Sequence, residues 1–169
     1  MKANWPEAFA LTLSHEGGFV NHPKDPGGMT NLGVTKRAWE NYIGHPASET
    51  EMRALTPERV QLFYKKMYWD KIRGDDLPDG VDYAAYDFAV NSGVSKAAKV
   101  MQEIAGVPVD GIIGPKSLAA IRMVPATEMI DALCMERLEF LKRLPTWATF
   151  GRGWSARVAS VEKQATAMT

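Results

Sequence analysis

With 169 residues, 46% of them hydrophobic and 24% charged, the chain can bury one sizeable core or two small lobes, and its composition is not that of a disordered segment. Lys and Arg total 20, as do Asp and Glu, for a formal net charge of zero. That balance argues against a nucleic-acid partner and removes long-range attraction to anionic surfaces. Cys134 is the only cysteine, so an intramolecular disulfide framework is excluded.

The opening segment, MKANWPEAFALTLSHEGG, has neither a long apolar run nor a small-residue cleavage site and predicts no signal peptide. No later stretch reaches the length of a membrane span. The expectation is synthesis in the cytoplasm, no membrane insertion, and action outside only after release by another agent. Phe9, Leu13 and their neighbours predict a first helix ending at Glu16, with the glycine that follows in the left-handed cap position. From His15 to Thr35 the sequence HEGGFVNHPKDPGGMTNLGVT breaks that period with glycines and prolines. At most a short hairpin, using Phe19–Val20 and Leu32–Val34, is expected there.

Further on, TPERVQLFYKKMYWD predicts a helix with Thr56 as N-cap and Pro57 in its first turn. Val60, Phe63, Tyr64 and Met67 form its apolar face. RGDDLPDG interrupts the period, and Asp75, Asp76, Asp79 and Asp82 read as a solvated, helix-capping acidic face. A boundary near Asn91–Ser95 separates an N-terminal lobe, residues 1–92, from a smaller helical lobe, residues 93–169. In the second lobe Ala97, Val100, Met101 and Ile104 predict one helix. GVPVDGIIGP is a break, with Gly114 and Pro115 opening the next helix. Ile130, Leu133, Cys134 and Arg137, then Leu138 and Leu141, predict another, in which Cys134 is a buried, inert thiol. Trp154, Arg157, Val158, Val161 and Ala165 predict a last helix. The fold class is mainly α, with at most a small β-hairpin.

Elimination narrows the chemistry. His15, His22 and His45 do not form the HExxH zinc pattern, and the acidic run lacks the alternating ligands of a calcium loop. DPGGMTNLG has no Lys-Ser/Thr ending for a phosphate cradle, and no GxSxG elbow occurs. Carboxylates remain. A glutamate at a helix C-terminus meets the negative end of the dipole, which together with partial burial favours the protonated acid that a glycosidase needs for its leaving oxygen. Asp25, in KDPGG, fits a turn as well as a second carboxylate. Thr30 and Thr35 fit turn and N-cap positions as well as a ligand site. In combination, Glu16 at the lip with Asp25 and the threonines across a tight hairpin predicts a two-sided cleft.

The same stretch, with its EGG plus aromatic, D-P-G-G and T-N-x-G-V-T, resembles the signature of family 108 glycoside hydrolases, N-acetylmuramidases of bacteria and phages. YDFAVNSG, Tyr86 to Gly93, is similar to that family too. The spacing of Glu16, Asp25 and Thr30 is similar to the Glu–Asp–Thr arrangement of phage-type lysozymes, with one residue of difference before the threonine. The resemblance implies a lysozyme-like helical fold and Glu16 as the catalytic acid. It leaves Asp25 as nucleophile, water-orienting base or stabiliser of the oxocarbenium-like transition state, and it implies that Thr30 holds a water on the far face of the sugar. Tyr86 (sugar wall or core), Asn91 (sugar amide or helix cap) and Thr35 are candidate substrate-binding residues. KAAKVMQEIAGVPVDGIIGPKSLAAI resembles the peptidoglycan-binding helical module at the C-terminus of that family, through its V-D-G-x-x-G-P-K-[ST] core.

These resemblances imply bacterial peptidoglycan as partner and hydrolysis of the β-1,4 bond between N-acetylmuramic acid and N-acetylglucosamine. No metal or organic cofactor is implied, because acid and charge stabilisation both come from side chains. Two other activities fit the same residues: a lytic transglycosylase acting on that bond, and a non-catalytic wall-binding or secretion-accessory protein. Release through a holin, as for a phage or prophage lysis enzyme, or a role in another protein's secretion, would bring the chain to the periplasm or cell wall.

Overall fold

A computed structural model describes residues 4–22 and 28–169, and the fold is mainly α-helical. Among the described residues there are nine α-helices and one two-stranded sheet. The chain divides into two compact units, one of Phe9–Met67 and the other of Met1–Ala8 with Tyr68–Thr169.

In the first of these units the end of α1 (Asn4–Leu13) is followed by β1 (Thr30–Asn31), β2 (Val34–Thr35), α2 (Lys36–Ile43), α3 (Glu49–Arg53) and α4 (Pro57–Tyr64). The strands pair antiparallel, Thr30 with Thr35 and Asn31 with Val34. Leu32 and Gly33 form the two-residue loop with φ of 52° and 77°. Positive φ at both positions is the condition of the primed turn whose twist suits a tight hairpin. The hairpin therefore uses different residues from those expected: Leu32 is in the turn, and Val20 adds only an isolated bridge to Thr30. The buried Asn31 donates through Nδ2 to the carbonyl of Met52, 2.8 Å away, tying the hairpin to α3. Phe9, Val34, Trp39, Met52, Val60, Phe63 and Tyr64 are buried here.

Local signals set these helices. Ser48 and Glu51 form a capping box at α3, and Thr56 accepts the Arg59 N–H at the start of α4, with Pro57 in the first turn. Beyond Tyr64 the helix widens into a π-helical stretch, Lys65–Trp69, so the apolar period that continues through Met67 does so with altered winding.

The other unit is built around α5 (Val81–Ser92), which is buried continuously from Val81 to Ala89. It packs on α6 (Val94–Ala105), α8 (Ala126–Lys142) and α9 (Trp147–Ala167), while α7 (Pro115–Met123) packs on α6. Of the acidic run, Asp75 and Asp79 are exposed and Asp76 half-exposed, as expected of a solvated face, whereas Asp82, in the first turn of α5, is fully buried. The Trp69 indole donates to Asp75 at 2.9 Å, and Arg73 binds Asp76. Asn4 donates to Asp79 and to the fully buried Asp82. The donors to Asp75 and Asp76 are local, whereas that to Asp79 and Asp82 comes from the first helix, a pairing that helical periodicity does not reveal. No helix among the described residues is long and apolar enough to cross a membrane.

Candidate active site

Glu16 stands just beyond α1. The helix stops at Leu13, three residues earlier than expected, and Ser14 to Glu16 form a turn in which the His15 and Glu16 N–H groups donate to the carbonyls of Thr12 and Leu13, each at 3.0 Å. These bonds satisfy carbonyls that a helix end leaves open. Neither Gly17 nor Gly18 has a positive φ, so the expected left-handed glycine cap is absent.

The glycine that matters is Gly33, in the hairpin turn. A Cβ built there would lie 2.7 Å from Glu16 Oε2 and 2.5 Å from the Tyr64 hydroxyl oxygen. Carboxylate and phenol are therefore seated against the same backbone atom, and only glycine leaves them room. At Gly17 and Gly18 nothing lies within 4 Å of such a position. The close approach to Glu16 is made not by its neighbouring glycines but by one 17 positions away in the sequence.

Tyr64 also holds the turn itself. Its hydroxyl donates to the Leu32 carbonyl at 2.7 Å. Leu32 occupies the left-handed region, which disfavours a side-chain-bearing residue, and this bond offsets that cost. The ring packs against Phe9 and Phe63, with centroids 5.7 and 5.6 Å away. Three residues beyond Glu16 in the chain, the Phe19 ring carries the Arg53 guanidinium 4.0 Å over its face. An acid is thus seated against a braced hairpin, with a phenol beside it. That arrangement can deliver a proton to a substrate oxygen.

Thr30 and Thr35 face each other across the same hairpin. Thr30 exchanges two 2.8 Å backbone bonds with Val20 and keeps a half-buried side chain. Thr35 Oγ1 accepts the Ala38 N–H at 3.1 Å and caps α2. Asp25 lies outside the described residues. Tyr86 and Asn91 belong to the other compact unit. Tyr86 is fully buried, edge-on to Trp5 and Trp69 at 5.4 and 5.6 Å, so of its two readings it takes the core position. Asn91 is half-buried in the last turn of α5 and accepts the Ser92 hydroxyl at 3.2 Å. Among the described residues, no group of three His, Cys, Asp or Glu side chains could hold a metal ion.

Sequence reasoning missed the parts of Gly33 and Tyr64. Tyr64 read as one apolar position on a helix face. The available signal was its hydroxyl, which needs a partner when the ring is buried.

Comparison with known proteins supplies the family. Residues 9–93 match the glycosyl hydrolase 108 family, and residues 96–159 match a predicted peptidoglycan domain. The solved structure of Brucella abortus SagA is 45% identical to this chain, with a TM-score of 0.90, over 99% of this chain and 97% of its own. Among curated proteins none matches. The fold is thus of the mainly α, lysozyme-like class. The chain belongs to the glycosyl hydrolase 108 family, a glycoside hydrolase joined to a predicted peptidoglycan domain and so a peptidoglycan hydrolase.

Proposed function

We propose that the protein is an N-acetylmuramidase that hydrolyses the β-1,4 bond between N-acetylmuramic acid and N-acetylglucosamine, with Glu16 as general acid. Residues 1–92 carry the chemistry in this reading, and residues 93–169 hold the wall. The observation that carries it is the seating of the Glu16 carboxyl on Gly33, beside the Tyr64 hydroxyl, in a chain of the glycosyl hydrolase 108 family. Glu16 gives its proton to the glycosidic oxygen as the bond to the anomeric carbon breaks. Positive charge develops on the sugar ring, and water adds to that carbon. Thr30, on the same hairpin, is the residue to hold the water, and Asp25 supplies the second carboxylate. The site of action is the cell wall.

The test is product analysis by mass spectrometry on purified peptidoglycan, with Glu16→Gln beside the wild type. The wild type should release fragments with reducing N-acetylmuramic acid ends. Reducing N-acetylglucosamine ends would move the cut to the other bond, and anhydro-muramyl ends would replace hydrolysis by transglycosylation. Glu16→Gln should lower the rate about 10²- to 10⁴-fold, the range of general acid catalysis, with melting unchanged. A variant that still clears the wall at the wild-type rate would remove Glu16 from the mechanism. If the wild type pulls down with insoluble wall but yields no product, the chain is a binder and not an enzyme.

A further inference from the structure

Asp110, Ile112, Gly114, Pro115, Lys116 and Ser117 have no step in the proposed hydrolysis, yet these residues of the VDGIIGPKS motif line a cavity of about 450 Å³, within the range of small-ligand sites. Folding accounts for part of the motif. The buried Gln102 of α6 donates through Nε2 to Asp110 Oδ1 at 2.8 Å, to the Ile112 carbonyl at 3.0 Å and to Ser117 Oγ at 3.0 Å. Its Oε1 accepts the N–H groups of Asp110 and Gly111 at 3.1 and 2.9 Å. One amide side chain thus fastens the loop to the start of α7. The hydrogen bond from Gln102, seconded by the Ile112 N–H, holds the Asp110 carboxyl below its ordinary range, so the rim carries a fixed anion.

Gln102 does not explain Ile112 or Lys116. Ile112 is 72% exposed, an apolar side chain turned largely to solvent. Lys116 is exposed and makes no ion pair among the described residues. The wall of the cavity is therefore mostly apolar, with one cation and with the Asp110 anion at its rim. A glycan, rich in hydroxyl groups, calls for a denser set of polar partners. A short peptide of small residues ending in a carboxylate suits this wall, because its methyl groups, its amide N–H and its terminal charge each have a counterpart.

We propose that this cavity binds the peptide stem of peptidoglycan, with Lys116 on a stem carboxylate, Asp110 Oδ2 accepting a stem N–H, and Ile112 and Pro115 packing on the small side chains. The proposal rests on the reading that the chain acts on peptidoglycan. It makes the helical lobe a reader of the peptide, separate from the glycan chemistry at Glu16.

The test titrates a synthetic stem pentapeptide into the full chain carrying Glu16→Gln, followed by NMR, and repeats it with Lys116→Glu and Ile112→Ser added. Both positions are exposed, and a glutamate in the first turn of α7 suits the helix dipole, so folding should hold. Amide shifts are expected within residues 110–117. Lys116→Glu should weaken binding about tenfold, the size of one lost charge-assisted hydrogen bond. A peptide that leaves these amides unmoved, or binds Lys116→Glu equally well, overturns the proposal. Cleavage of peptide-free glycan strands by the wild type is measured alongside. Cleavage without stem binding overturns the cavity assignment alone, whereas stem binding without cleavage supports it and removes the muramidase reading.

Discussion

Replacing Asp87 by asparagine should cost more stability than its conservative shape suggests. Asp87 sits in α5 with no exposure and is shared by two arginines from different helices. Arg137 of α8 donates Nη1 to its Oδ2 at 2.8 Å. Arg157 of α9 grips both oxygens, through Nε at 3.1 Å and Nη2 at 3.0 Å. The Arg137 side chain is 2% exposed and that of Arg157 12%. Nε and Nη2 of Arg137 are buried with no hydrogen-bond partner among the described residues, so its charge depends on Asp87 and on the Phe88 ring, 5.6 Å away. Asparagine keeps the volume and removes the charge. A buried pair broken by loss of one partner costs about 3–5 kcal/mol, and Arg137 should bear most of it because Arg157 can reach water. For a chain of this size that corresponds to a fall in Tm of roughly 6–20 °C. Urea denaturation followed by circular dichroism gives the free energy, and a thermal scan gives the shift. Asp87→Leu combined with Arg137→Met should recover more than half of the loss, because the guanidinium left without Asp87 is then only that of Arg157, which can reach water. If Asp87→Asn falls within about 1 kcal/mol of the wild type, where surface ion pairs lie, the clamp does not depend on its charge. The clamp also spans the two family segments: Asp87 lies within residues 9–93, and both arginines within residues 96–159.

Two further outcomes are expected. Gly33→Ala puts a Cβ against Glu16 and Tyr64 at a φ of 77°; the backbone change alone should cost about 1 kcal/mol, while activity on peptidoglycan should fall by at least tenfold. Wild-type turnover by that variant would mean that the seating of Glu16 on Gly33 is not needed. Burial pushes the Cys134 thiol up to about 12, and because the folded state holds the neutral form, this stabilising effect is present below the thiol's unfolded value, near 8.5, and is lost as pH rises toward 12. A thiol reagent at pH 8 should therefore label the protein only as fast as it unfolds, and rapid labelling of the native chain would contradict the burial.

Much of the helical framework was legible because helices are specified locally. Thr56 and Pro57 start α4, Gly114 and Pro115 start α7, and the apolar spacings of α6, α8 and α9 recur at 3.6 residues per turn. The turn before α5 was legible as a break but not in its contents. Nothing near Asp82 in the sequence points to Asn4, because the pairing depends on where the first helix comes to rest. The hairpin was foreseen as an element and mistaken in its residues, since a leucine in the left-handed region follows no turn rule and stands only with the Tyr64 hydroxyl on its carbonyl.

By itself the sequence determined the mainly helical class and singled out Glu16 and the VDGIIGPKS motif, since periodicity, caps and clustered glycines are properties of neighbouring residues. Only the tertiary structure decided what those residues face. Glu16 meets Gly33 and Tyr64, Asp110 meets Gln102, and Asp87 meets two arginines, because each contact joins segments whose separation in the chain carries no information about their distance in space.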